Sequence, residues 1–339
     1  MTSTHLSEVT EPLLTVEGLT VDYLGSQQSA RACNDVSLTV NRGEILGIAG
    51  ESASGKTTLL TALTRLQKPP AVIADGSVRY HRRDGSEIDL ATAPESKIRP
   101  LRWADLSIVM QSAMACLNPV MRLGSQFYDV LSLHYPKMSS AQQQHRAAEL
   151  LEMVGISPDV LRKYPHEMSG GMRQRSLIAL AMACEPELIV MDEPTTAVDV
   201  VMQREILEQI LDLQAQHGFA IIFVTHDLSL LLEIADRIAI MYAGRIVEIA
   251  DGEDIADRPR HPYTHGLRHA FPSLREARHD LKGIPGSPPN LLNLPPGCSF
   301  APRCPLKIDQ CDTVRPPLEE DGAWRHVACH VKVTEGAMP

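Results

Sequence analysis

The chain has 339 residues, of which 44% are hydrophobic and 22% are charged, a composition typical of globular proteins. Its 32 lysines and arginines against 42 aspartates and glutamates give a net charge of −10, which disfavours a general nucleic-acid-binding surface. No apolar run approaches the roughly 20 residues that cross a bilayer, and the polar N-terminus lacks the apolar core of a secretion signal. We therefore expect a soluble, cytoplasmic protein of about two domains that binds no nucleic acid.

The strongest local signal is a glycine-rich loop between an apolar run and a helical pattern. The run 44–49 predicts a buried strand, residues 50–57 match G-x-x-x-x-G-K-[ST], and 58–66 predict a helix. The loop and its first helical residue are Gly50, Glu51, Ser52, Ala53, Ser54, Gly55, Lys56, Thr57 and Thr58. In such a loop the backbone N–H groups face phosphate oxygens, the lysine reaches the β- and γ-phosphates and the threonine ligates Mg²⁺. The motif therefore predicts a nucleoside triphosphate site.

Two later apolar runs end in polar side chains. The run 188–191 leads into Asp192 and Glu193, and the run 220–224 precedes His226 by one residue. Ligands bind at the carboxyl ends of parallel strands. We expect Asp192 to hold Mg²⁺ through water, Glu193 to act as general base on the attacking water, and His226 to contact the γ-phosphate.

The segment 168–175, Met-Ser-Gly-Gly-Met-Arg-Gln-Arg, resembles the signature motif of ATP-binding-cassette (ABC) ATPases. It precedes the Asp192-Glu193 strand, as it does in that family, and the resemblance covers about residues 13–257. It implies an α/β fold in which a RecA-like core carries the phosphate loop. The nucleotide-binding domain would span 11–257, with a helical subdomain at about 112–174.

The resemblance also implies roles for individual residues. Tyr23 matches the aromatic residue that stacks on adenine, Gln111 matches the glutamine loop that ligates Mg²⁺, and His226 matches the switch histidine. Ala197-Val198-Asp199 matches the loop that crosses to the partner's nucleotide site. In this family the signature residues, here Ser169, Gly170 and Gly171, bind the γ-phosphate held by the opposite subunit, so that ATP joins two such domains.

Within the family, the chain resembles the importers of di- and oligopeptides. Met172 in the signature is typical of one of their two ATPase subunits, and Leu117-Asn118-Pro119 also fits. The tail strengthens the resemblance through His-Pro-Tyr-Thr at 261–264, Ile-Pro-Gly at 284–286 and the segment 297–305. It implies a C-terminal extension over 258–339, which is loop-rich: thirteen of the 24 prolines follow residue 257.

This resemblance implies partners and a location. We expect a heterodimer with a sister ABC ATPase, two transmembrane permease subunits, and an extracytoplasmic substrate-binding protein that acts through the permeases. The chain would lie peripherally on the cytoplasmic face of the inner membrane. Relatives carry nickel, opines or oligosaccharides, and these remain alternative solutes. A soluble, non-transport ABC ATPase is a further alternative, although the sequence contains one cassette and no heptad repeats.

The sequence departs from the family pattern at two places. Ala53 stands where a glycine is common in the phosphate loop, and at a positive φ alanine costs about 1 kcal/mol. Gln111-Ser112-Ala113-Met114 replaces a glutamine, acid, proline, methionine segment that normally lies near the permease contact.

Four cysteines cluster in the tail, at positions 298, 304, 311 and 329. The intervals of five, six and seventeen residues between them are not the short pairs typical of zinc sites. Spacing alone leaves open an iron–sulfur cluster, zinc, or unligated core cysteines. Similar tails in the peptide-importer ATPases carry [4Fe–4S], so the resemblance implies a cluster on Cys298, Cys304, Cys311 and Cys329, with zinc as the alternative. Because the tail follows the last cassette motif, we expect the cluster to lie far from ATP and to take no part in catalysis.

Overall fold

The computed structural model describes residues 11–334, except for positions 27, 111–115, 196–198, 271–282 and 323. The strands, in chain order, are β1 (Pro12–Tyr23), β2 (Ala30–Asn41), β3 (Ile45–Ala49), β4 (Ala71–His81), β5 (Glu87–Asp89), β6 (Leu106–Val109), β7 (Leu188–Asp192), β8 (Ala220–Val224), β9 (Arg237–Tyr242), β10 (Arg245–Asp251), β11 (Glu319–Glu320) and β12 (His326–Val327).

The α-helices, in chain order, are α1 (Lys56–Leu63), α2 (Glu95–Ile98), α3 (Leu123–His134), α4 (Ser140–Met153), α5 (Gly170–Ala181), α6 (Val200–His217), α7 (Leu228–Ile234), α8 (Gly252–Asp257), α9 (Pro262–Ala270) and α10 (Gln310–Thr313). Short 3₁₀ helices lie at Arg99–Leu101, Pro158–Arg162, Pro165–Glu167 and Ala301–Arg303. No helix in the described part of the chain is both long enough and apolar enough to cross a membrane.

The chain divides into two compact units. Unit 1 comprises residues 1–92 and 223–339, and unit 2 comprises 93–222. The C-terminal tail therefore belongs to the same unit as the phosphate loop. The boundary falls within β8. The backbone N–H of Ala220, its first residue, donates to the carbonyl oxygen of Glu187 in unit 2. Just after the strand, the N–H of Thr225 donates to the carbonyl oxygen of Ile48 in unit 1.

Unit 1 contains an antiparallel sheet in the order β2-β1-β4-β5 and a second group of strands in the order β11-β12-β10-β9-β3. In the second group β3 runs parallel to β9, whereas β10 runs antiparallel to β9 and to β12. All five residues of β3 are buried. Strands covered on both faces have such unbroken apolar runs, which is why the run 44–49 predicted this strand.

Unit 2 contains the parallel pair β6 and β7 together with the helices α2 to α6. The described residues between 116 and 174 are helical or irregular, without strands. Strand β7 is buried throughout and ends at Asp192. This strand and β8 have the bounds that their apolar runs predict, to within one residue.

Helix α1 differs from its predicted span of 58–66, because it begins at Lys56 and ends at Leu63. Its N-terminal boundary is Gly55, in a left-handed conformation with φ of 103°, so the last residues of the loop motif already belong to the helix. The helix stops because the chain reaches Arg65 with φ of 54°, a left-handed value that a continuing helix does not allow.

Candidate nucleotide site

The phosphate loop joins the buried strand β3 to the N-terminus of α1. The Lys56 side chain is 8% exposed, and its Nζ donates to the carbonyl oxygens of Gly50 at 2.7 Å and Glu51 at 2.9 Å. Nζ also lies 3.4 Å from Ser54 Oγ, whereas Thr57 is exposed. The loop therefore holds a positive charge at a helix N-terminus, where the backbone N–H groups and the helix dipole also favour anions.

The backbone of the loop explains its residue types. At Gly55 a Cβ would lie 2.3 Å from the carbonyl oxygen of Ala32, so only glycine fits. Ala53 has φ of 63°, the positive value at which alanine is strained by about 1 kcal/mol. Ala53 is exposed, so its methyl group is not excluded by neighbours. The loop tolerates this departure from glycine at a small energetic cost.

Tyr23 ends β1 close to the same helix. Its hydroxyl lies 3.2 Å from Oγ1 of Thr58, and the residue is 39% exposed. An exposed aromatic side chain beside the phosphate loop offers a stacking surface for a planar base.

The C-terminal tail contacts the phosphate loop directly, which the sequence did not predict. Arg303 Nη1 lies 2.7 Å from Oε2 of Glu51, and Nη2 lies 3.0 Å from Oε1, so the pair is bidentate. The backbone N–H of Glu51 donates to the hydroxyl of Tyr263 at 2.9 Å. The first of these contacts spans 252 residues, a separation that local sequence patterns do not reveal.

In unit 2, the carboxylates that follow the apolar run lie at the end of β7. Asp192 is 1% exposed and Glu193 is partly exposed. Glu193 has φ of 46°, a backbone conformation that costs a non-glycine residue about 1–3 kcal/mol and is found preferentially at active sites. A buried acid followed by a strained, more accessible acid suits one metal-binding and one proton-accepting role.

The signature segment opens α5, as predicted. Ser169 is the N-cap residue, and its Oγ accepts a hydrogen bond from the N–H of Met172 at 3.2 Å. Gly170 is the first residue of the helix. A Cβ on Gly171 would lie 2.1 Å from the Sδ of Met202 in α6, so a larger residue there would require the Met202 side chain to move. The segment thus presents a capped helix N-terminus, which is suited to an anion.

Asp199 has a structural role that the sequence analysis did not identify. It is the N-cap residue of α6, and its Oδ1 accepts from the N–H of Met202 at 2.9 Å. His226 lies exposed beyond β8, next to Asp227, which caps α7. Gln111, and Ala197 and Val198 of the predicted crossing loop, lie outside the described residues.

The four tail cysteines line one cavity in unit 1. His261 and Phe300 also line it. Burial raises the pKa of the Cys298 and Cys304 thiols, and that of Cys329 to about 12. Without a bound cation these thiols are therefore protonated at neutral pH. Within the described residues, however, no three His, Cys, Asp or Glu side chains are grouped to hold a single metal ion.

Two family models match the chain. One, described as "ABC transporter", matches residues 33–196, and the other, "Oligopeptide/dipeptide transporter, C-terminal region", matches 247–311. A dimeric ATP-binding cassette solved in a post-hydrolysis state with ADP and Pi is 25% identical, with a TM-score of 0.62 over 70% of this chain and 98% of that one.

Relatives with assigned names align over nearly the full length. The oligopeptide transport ATP-binding protein AppD of Bacillus subtilis is 39% identical, over 96% of this chain and 98% of AppD. The oligopeptide transport ATP-binding protein OppD of Salmonella typhimurium is 40% identical, over 98% of each chain. The dipeptide transport ATP-binding protein DppD of Caldanaerobacter subterraneus is 37% identical, over 94% of this chain and 97% of DppD.

The strand, glycine-rich loop and helix are those of a phosphate-loop nucleotide site, and the match to the "ABC transporter" model makes the chain an ATPase of the ABC type. With the tail included, the chain belongs to the family of oligopeptide and dipeptide transport ATP-binding proteins. The predicted family, its α/β ABC fold and its class as an ATPase are thereby confirmed.

Proposed function

We propose that the chain powers the uptake of di- or oligopeptides as the ATP-hydrolysing subunit of a bacterial ABC importer. The observation that carries this proposal is the combination, in one chain, of a cassette and the oligopeptide/dipeptide transporter C-terminal region. Relatives named for oligopeptide and dipeptide transport support it, because they match over the tail as well as the cassette.

In this proposal the phosphate loop binds ATP. Lys56 holds the β- and γ-phosphates, and its position among the loop carbonyls supports this role. Tyr23 stacks on adenine. Thr57, Gln111 and Asp192 hold Mg²⁺, which neutralises charge on the phosphates. The remaining nucleotide contacts come from the rest of the loop, namely Gly50, Glu51, Ser52, Ala53, Ser54, Gly55 and Thr58.

Glu193 would accept the proton of the attacking water, and His226 would contact the γ-phosphate. The partial exposure and strained backbone of Glu193 support the first role. Ser169, Gly170, Gly171 and Asp199 would complete the nucleotide site of a second subunit, and the capped helix that begins at Gly170 supports an anion contact. The dimeric state of the similar solved cassette supports this arrangement.

The proposed assembly contains a sister ABC ATPase, two transmembrane permeases and an extracytoplasmic substrate-binding protein. The chain would lie on the cytoplasmic face of the inner membrane, bound peripherally through the permeases. The cassette would span 11–257, with the tail over 258–339.

We also propose that Cys298, Cys304, Cys311 and Cys329 bind a [4Fe–4S] cluster. The support is that all four line one cavity, so that the donor set is the one such clusters use. Zinc bound by the same four thiols is the alternative. The cluster would supply a structural link between tail loops. The positive charge of its iron ions would favour the deprotonated form of the four cysteines.

The variant Glu193→Gln tests the catalytic assignment. It should retain ATP binding and lose about 10²–10⁴ of the hydrolysis rate, as expected on removal of one general base. Steady-state ATPase should be measured in the assembled transporter with the sister site inactivated, because the sister could mask the loss. Glu185→Gln, an exposed acid of the same unit, is the matched control. Turnover of Glu193→Gln near that of the control would contradict the assignment.

A further inference from the structure

The phosphate loop contains an acid, which is unfavourable next to a triphosphate. The Glu51 side chain is 25% exposed and carries its charge one residue after Gly50. Arg303, with which Glu51 forms the bidentate ion pair, has a side chain that is only 5% exposed. The charge of the loop acid is thus balanced by a buried arginine from the tail rather than by solvent.

Arg303 is fixed by other parts of the tail and core. Its Nε donates to the carbonyl oxygen of Pro285 at 2.8 Å, and its Nη1 lies 3.3 Å from the hydroxyl of Tyr242. The guanidinium also lies 5.8 Å from the ring centroid of Phe300. Hydrogen bonding to Glu51 raises the pKa of Arg303 further above its ordinary range, so it stays charged. The arginine is therefore a pre-organised partner with little freedom to turn away.

Further tail contacts reach the same region. The ring of Tyr263, whose hydroxyl accepts from Glu51, is fully buried and packs 5.4 Å from Phe300. Beyond Tyr23, the side chain of Gln28 donates to the carbonyl oxygen of Leu292 at 2.7 Å. The tail thus touches both the phosphate loop and the segment that follows the adenine-stacking tyrosine.

We propose that Arg303 is a positioning residue for ATP binding, which acts by holding and neutralising the Glu51 carboxylate. The tail is in this sense part of the nucleotide site. Without Arg303, the carboxylate would lie uncompensated in the loop, repel the phosphates and be free to compete for the Lys56 ammonium. This inference rests on the proposed role of the phosphate loop.

The test is binding of MgATP and MgADP to the full-length chain, measured by calorimetry at low and high salt. Arg303→Ala should weaken MgATP binding about tenfold or more, because a hydrogen-bonded charge pair is lost. The loss should be larger for MgATP than for MgADP and smaller at high salt, since it is electrostatic. Arg303→Lys keeps the charge but loses the bidentate geometry, so its effect should be intermediate.

The double variant Glu51→Gln, Arg303→Ala separates positioning from folding. It should bind MgATP more tightly than Arg303→Ala, because no carboxylate is left unbalanced. Arg325→Ala is the matched control: the Arg325 side chain is 8% exposed and pairs with Asp254, which is not a residue of the loop. It should bind as wild type, and limited proteolysis would report the state of the tail in each variant.

Two outcomes would overturn the inference. One is wild-type MgATP affinity in Arg303→Ala; the other is equal weakness of Arg303→Ala and the double variant, which would mean that Arg303 acts only by folding the tail. If Arg303→Ala does not fold, Arg303→Lys still decides, because adding Glu51→Gln to Arg303→Lys should tighten MgATP binding relative to Arg303→Lys alone. Failure of wild type to bind, or binding unaffected by Lys56→Ala, would instead refute the proposed phosphate site.

Discussion

Replacing His261 with asparagine should remove an acid-sensitive element of the tail. His261 is 1% exposed and precedes α9, where its Nδ1 accepts from the N–H of Tyr263 at 3.0 Å. An accepting nitrogen cannot carry a proton, and burial lowers the pKa of His261 to about 3. In the unfolded chain a histidine titrates near 6.5, so below that pH the unfolded state binds one more proton than the folded state.

The magnitude follows from the difference between the two pKa values. The free energy of unfolding should fall by up to about 1.4 kcal/mol per pH unit below pH 6.5 and level off only near the folded-state pKa. Between pH 7.5 and pH 5 the loss from this residue is about 2 kcal/mol. Burial raises the pKa of the neighbouring Glu248, which has the opposite dependence, but Glu248 is present in both proteins and largely cancels in the comparison.

The assay is urea unfolding of wild type and His261→Asn, followed by circular dichroism at pH 7.5 and pH 5. Asparagine is a good helix N-cap and does not titrate. The variant should therefore keep the capping hydrogen bond and lose the part of the pH dependence of the unfolding free energy that comes from His261. The smaller side chain lowers its stability equally at both pH values. If the free energy of unfolding fell between pH 7.5 and pH 5 by the same amount in both proteins, within about 0.5 kcal/mol, the acid sensitivity could not be assigned to His261.

Ala53→Gly should raise the free energy of unfolding by up to about 1 kcal/mol, because glycine relieves the strain at a φ of 63°. Ala62→Gly, inside α1, is the control with the opposite expected sign, and it should lower the free energy of unfolding by about 1 kcal/mol. If the two variants changed the free energy of urea unfolding equally, the strain assigned to Ala53 would be contradicted. Anaerobically purified protein should contain about four irons and four acid-labile sulfides per chain. Cys304→Ser should lose them and become protease-sensitive in the tail, while Cys116→Ser keeps them; stoichiometric zinc without sulfide would exclude the cluster.

The parts of the site that are local in sequence were predictable. Strands buried on both faces have unbroken apolar runs, and the loop motif lies within eight consecutive residues, so β3, β7, β8 and the phosphate loop could be located. The tail contact could not, because a single arginine between a proline and a cysteine carries no pattern that points 252 residues back.

Other features could not be predicted from the sequence, also for physical reasons. His261 caps a helix, although capping rules look for serine, threonine, aspartate or asparagine. The end of α1 has no glycine to mark it, since Arg65 itself takes the left-handed conformation. The positive φ of Glu193 is imposed by its surroundings rather than by its residue type.

The pairing of Glu51 with Arg303 also sets the order in which this site can be completed during synthesis. A ribosome makes the chain from its N-terminus, so the phosphate loop is synthesised 252 residues before the arginine that balances its acid. A nascent chain, or one truncated before the tail, has all of the loop motif and lacks Arg303. The loop acid therefore has no balancing arginine until residue 303 has been synthesised.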